Sequence, residues 1–148
     1  MIELENITGS YEDDWSQALK PYQRTLVDEL LALGKTTEEI ALIWLDKVGA
    51  ENNAPFGSQS SSQNFFDAVK LEFSKLVCGD DRYEDDRKKI NTLWGKHKVA
   101  IVSTIAAAIA SQLGIAVAIL TPVIALLLDL FGKLGRNAWC DTYFVAKE

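Results

Sequence analysis

VAIVSTIAAAIASQLGIAVAILTPVIALLL, running from Val99 to Leu128, is 30 residues long and carries no charged side chain. It lies between Lys96 and Lys98 on one side and Asp129, Lys133 and Arg136 on the other. A segment this apolar must be kept from water, whether by the rest of the fold, by a partner or by a bilayer. Its first half, Val99 to Leu113, sets Ile101, Ile105 and Ile109 in one helical row. A second row holds the small residues Ala100, Ser103, Thr104, Ala107 and Ser111, which permit close approach of a neighbouring backbone. The second half, from Ile115 to Leu134, is bulky on every side and includes Ile119 and Leu126, while Thr121-Pro122 either kinks it or caps and restarts a helix. Gly114 is the natural hinge. The segment therefore reads as an apolar helical hairpin turning near Gln112–Ile115, within a unit bounded at about residues 98–135.

Working back towards the N-terminus, residues 10–97 read as four or five amphipathic helices. Ser10 with Asp13 has the form of a helix start, and Trp15 and Leu19 then share a face. Pro21 interrupts that helix and can begin the next, whose Tyr22, Leu26, Leu30 and Leu33 repeat at helical spacing until Gly34. Thr36 and Glu39 form a capping box. The helix expected after it, from about Thr37 to Val48, turns Ile40, Ile43, Trp44 and Val48 inward and stops at Gly49. Residues 50–62, rich in Asn, Pro, Gly and Ser, read as a loop. Ser62 can cap a helix carrying Phe65, Phe66, Val69, Phe73, Leu76 and Val77 that ends at Gly79. Asp81 with Glu84 repeats the capping pattern before a helix with Tyr83, Ile90, Leu93 and Trp94 on one side. The tail, residues 136–148, mixes aromatic and polar residues without a firm period, and either continues the last helix or lies extended.

A length of 148 residues suits one domain with one core. The fold class expected is an all-α bundle of amphipathic helices around the apolar hairpin. The net charge of −6 is unevenly spread: residues 1–97 carry 11 Lys/Arg against 18 Asp/Glu, and residues 98–148 carry 4 against 3. Nucleic acid is disfavoured, because the basic cluster Arg87, Lys88 and Lys89 follows directly on Glu84, Asp85 and Asp86. Cys78 and Cys140 stand 62 positions apart, and Met1 is followed by Ile-Glu-Leu-Glu rather than a secretory leader pattern. Both cysteines are accordingly expected as reduced, interior thiols of a cytoplasmic protein.

Chemical motifs are sparse. His97 is the only histidine, which removes most triads, Cys/His zinc patterns and histidine bases together. The acidic run Asp80, Asp81, Glu84, Asp85, Asp86 lacks the alternating spacing and central Gly of a calcium loop and reads as a solvated helix start. Neither a phosphate-cradling loop nor a nucleophile elbow occurs. No cofactor, metal or small-molecule substrate is expected, and no enzymatic activity.

Two fates remain for the hairpin. About 15 residues before Gly114 give a helix of roughly 22 Å, short of the ~30 Å hydrocarbon core, which favours a soluble bundle that hides it. The flanking charges Lys96, Lys98, Lys133 and Arg136 suit a membrane hairpin with both ends on the cytoplasmic side. A soluble bundle that hides an apolar hairpin resembles, in outline, helical pore-forming toxins and cell-death regulators. The expectation is a protein that associates with a protein partner or with itself, cytoplasmic or membrane-associated, with insertion through residues 99–131 as the alternative.

Overall fold

The computed structural model describes residues 15, 19–52, 59–93 and 97–143. These form helices α1 (Pro21–Ala32), α2 (Thr37–Asn52), α3 (Gln59–Cys78), α4 (Glu84–Leu93), α5 (Lys98–Leu113), α6 (Val117–Leu134) and α7 (Arg136–Tyr143), with a 3-10 turn at Asp81–Tyr83 before α4. The protein is all-helical, with no strand among the described residues. The start proposed at Ser10 and Asp13, Trp94, and the end of the tail lie outside them.

Local chemistry explains most of the boundaries. Pro21 opens α1, where its missing N–H costs nothing, and the Lys20 N–H donates to Gln23 Oε1 at 3.0 Å. At the other end Gly34 adopts φ 87°, and the N–H groups of Gly34 and Lys35 donate to the carbonyls of Leu31 and Leu30. That pair of bonds is a Schellman closure, and it needs a left-handed residue. Both reciprocal bonds of the Thr36–Glu39 capping box are present: Thr36 N–H to Glu39 Oε1 at 2.8 Å, and Glu39 N–H to Thr36 Oγ1 at 3.1 Å.

Three boundaries differ from expectation. α2 continues through Gly49 to Asn52, and α3 begins at Gln59, so Ser62 lies inside a helix rather than capping it. The 3-10 turn is capped by Asp80, whose Oδ1 accepts from the Arg82 N–H at 2.8 Å, and not by Asp81 with Glu84. The tail forms α7, which packs on α3 and α6.

Packing concentrates on α6. Residues 122–128 are all buried, and α6 packs against α2, α3, α5 and α7. A helix that is apolar all round has no solvent face to offer, so neighbours on several sides are what its sequence demands. From α2 come Ile40, Ala41, Trp44 and Leu45; from α3 come Phe66, Val69, Phe73, Leu76 and Val77. Phe73, Phe131 and Trp139 meet edge to face, with ring centroids 5.4–6.0 Å apart. Such pairs contribute about 0.5–1.5 kcal/mol each beyond burial.

The two cysteines are not free thiols. Cys78, the last residue of α3, is bonded to Cys140 in α7, with their Cα atoms 5.8 Å apart. The expectation of reduced thiols fails because it weighed each cysteine as a separate buried hydrophobe, whereas the packing of α7 on α3 brings the pair together. Closing a loop across 62 positions stabilises a fold by on the order of 4 kcal/mol through the chain entropy it removes from the unfolded state.

Candidate functional site

The apolar segment is two helices joined at Gly114–Ala116. Gly114 takes φ 70°, and the N–H groups of Gly114 and Ile115 both donate to the Ala110 carbonyl. α5 buries Ile101, Val102, Ile105, Ala106, Ile109 and Ala110. The small residues that pack are therefore Ala106 and Ala110, whereas Ser103, Ala107 and Ser111 are exposed. They line an open groove of about 440 Å³ with Arg82, Asp86 and Lys89 from the neighbouring elements.

In α6, Leu120, Pro122, Leu126 and Phe131 are buried, while Ile119 is half-buried and its carbonyl accepts from Trp44 Nε1 at 2.8 Å. Pro122 interrupts the backbone ladder without ending the helix, and the Thr121 hydroxyl donates to the Val117 carbonyl. At the hairpin's tip Gln112, Gly114, Ala116, Val117 and Ala118 are exposed and Leu113 and Ile115 half-buried. Of the flanking charges, Lys98 lies with its ammonium 5.7 Å from the Trp15 ring centroid, and Lys133 is exposed. Arg136 is the first residue of α7. Lys96 and the side chain of Arg136 lie outside the described residues. Asp129, which follows directly on the uncharged segment, accepts from the Trp15 backbone N–H at 3.2 Å.

A buried polar cluster that the sequence did not announce sits on α3. Tyr83 Oη donates to Glu72 Oε1 at 2.6 Å, with Arg82 Nη1 at 3.4 Å from the same oxygen and Lys75 Nζ at 3.3 Å from the other. Burial comes first, followed by the hydrogen bond to Glu72 and its charge, in pushing the Tyr83 phenol well above its ordinary range. Its proton is therefore held in the folded state at pH values where an unfolded tyrosine, with a pKa of about 10, has lost it. Below that value both states are neutral and the shift contributes nothing. Above it the unfolded state gains by ionising, so an alkaline titration of unfolding should show stability falling from about pH 10, with the fall reduced in Tyr83→Phe.

Arg87 is also buried, and its Nη1 donates to the Leu76 carbonyl at 2.9 Å. The basic cluster of the sequence is thus divided, with Arg87 inside and Lys88 and Lys89 exposed. The acidic run from Asp80 assembles no metal-binding group among the described residues.

α7 is held by two adjacent residues. Trp139 is fully buried and its Nε1 donates to Ser74 Oγ at 2.9 Å; Cys140 carries the disulfide. Asn137, Ala138, Asp141 and Thr142 are exposed. The tryptophan had only its identity to recommend it as an anchor, and nothing in the sequence marked Ser74 as its partner. No protein family model, curated protein or solved structure matches the chain.

Proposed function

We propose that this is a non-enzymatic helical protein that acts by self-association, with the α5–α6 hairpin as the buried centre of its bundle in the resting form. The observation that carries the association reading is the orientation of α1. Its row Tyr22, Leu26, Leu30, Leu33 has the spacing of a packing seam, yet Tyr22 is 61 % and Leu33 73 % exposed, and Leu26 and Leu30 are half-buried. Gln23 and Val27 are the fully buried positions of α1, while Leu26 and Leu30 touch the core and Tyr22 the Trp44 ring only at the margin of this face. Leu31 adds a further exposed apolar side chain at the same end.

A second copy of the chain is the partner this face fits. Of the exposed charges on α1, Glu29 lies beside the row, whereas Arg24 and Asp28 lie on the other side of the helix. Antiparallel pairing of two α1 helices about a two-fold axis covers Tyr22 and Leu33 of both copies. Sedimentation velocity is expected to show a concentration-dependent dimer. Leu31→Glu with Leu33→Glu should remain monomeric at every concentration while keeping its helical content, because both side chains are already exposed. A wild-type protein that stays monomeric throughout would remove this reading.

A second reading, insertion of the hairpin into a bilayer, is favoured by the uncharged exposed tip and by α6. At 18 residues, roughly 27 Å, α6 is long and apolar enough to cross a membrane by length and composition, though half of it is buried in the fold. Ala107 separates the two readings. It is exposed, so Ala107→Lys should fold normally, whereas a lysine at the centre of a membrane helix costs about 2.5–3.5 kcal/mol. If the hairpin inserts, wild-type protein releases dye from lipid vesicles and Ala107→Lys does so far less; if it does not, neither releases dye. The disulfide calls either for an oxidising compartment or for a redox-responsive role, and only the second agrees with the proposed cytoplasmic setting.

A further inference from the structure

We infer that the Cys78–Cys140 disulfide is a redox-sensitive latch, which a dithiol reductant opens to release α7 from α3 and α6. The inference rests on the reading of the packed α6 as the resting form. α7 is eight residues long, well below the ~12–15 at which an isolated helix becomes even marginally stable in water, so it persists only through its attachments. Among the described residues the main attachments are the neighbours Trp139 and Cys140, one noncovalent and one covalent. The chain enters α7 through Gly135, whose φ of 87° makes the junction with α6 a pivot rather than a continuation of the helix. Cys78 and Cys140 are both only half-buried, so a reagent has a route to the bond.

The exchange balances in two steps. One thiolate of the dithiol attacks a sulfur of the pair and forms a mixed disulfide, expelling the other cysteine as a thiolate that takes up a proton. The reagent's second thiol then closes its own disulfide and frees the remaining cysteine. Two electrons and two protons pass from the dithiol to Cys78 and Cys140. With the covalent tie gone, Trp139 is the fully buried side chain among the described residues of α7 that still holds it, and each opening uncovers the edges of Phe73 on α3 and Phe131 on α6 that Trp139 meets.

Hydrogen exchange read by mass spectrometry on the full chain, with and without dithiothreitol, tests the latch. In the reduced protein, peptides covering residues 136–143 should exchange faster by roughly tenfold or more, those containing Phe73 and Phe131 should follow to a smaller extent, and α2 should change least. Cys78→Ser with Cys140→Ser should reproduce the reduced pattern without reductant. Unchanged exchange at 136–143, or an equal increase in every helix, overturns the latch, the latter because the bond is then a staple of the whole fold. Failure of the underlying reading has a different signature: α6 would already exchange rapidly in the oxidised protein.

Discussion

Ile105→Asp and Leu126→Asp are each expected to abolish the folded state at 25 °C. Ile105 is 1 % and Leu126 4 % exposed, on the two helices of the apolar hairpin. The introduced carboxylate has no cationic partner in the surrounding core cluster, whose members are apolar. An unpaired buried charge of this kind costs several kcal/mol, comparable with the whole stability of a typical domain of about 5–15 kcal/mol. Asp85→Asn, on an exposed position of α4, should by contrast shift unfolding by no more than a few tenths of a kcal/mol. Circular dichroism of the three variants is sufficient. Hairpin variants that melt like the wild type would show that these positions are not interior.

The second large effect belongs to Trp139→Ala. Its removal empties a fully buried site, strips Phe73 and Phe131 of a shared edge-to-face partner and leaves Ser74 Oγ without its indole donor. Large-to-small changes of this type cost about 3–5 kcal/mol, which for a chain of this size corresponds to a fall in Tm of roughly 10 °C. Because reduction loosens α7 and leaves Trp139 engaged for less of the time, the loss should be smaller in reduced protein than in oxidised protein. Thermal melts of wild type and variant, each with and without dithiothreitol, give the four values needed. Equal losses in the two redox states would mean that Trp139 and the disulfide do not share the work of holding α7.

The helix starts and stops that could be read in advance are those fixed by a few neighbouring residues. Pro21, the Thr36–Glu39 box, and the left-handed glycines at 34, 79 and 114 act through local backbone geometry, which is the same in a peptide and in a protein. Periodicity likewise placed Phe66, Val69, Phe73, Leu76 and Val77 on the inner face of α3. What escaped depends on where other helices lie. The row on α1 had the right spacing but sits at the edge of the core: Gln23 and Val27 are its fully buried neighbours, Leu26 and Leu30 lean on the core, Tyr22 meets the Trp44 ring at 6.5 Å and Leu33 is exposed. Arg87 looked like part of a basic surface until the Leu76 carbonyl, at the end of a different helix, gave it a buried acceptor.

Gly49 and Ser62 misled in the same way. Each is a permissible helix end, and α2 and α3 simply continue across them. The disulfide was hidden for a different reason: 62 intervening positions say nothing about the 5.8 Å between Cα atoms that the packing of α7 creates. The site is thus legible in its apolar content and its Gly114 turn, and illegible in the latch that closes over it.

The central claim is that the apolar segment is interior to the folded chain in its resting form. Expression without detergent, followed by fractionation and amide exchange on the oxidised protein, tests it most directly. The account predicts protein in the aqueous fraction, with the amides of residues 123–128 among the slowest to exchange. Protein found only in the membrane fraction, resistant to carbonate extraction and needing detergent for α6 to be protected, would contradict it.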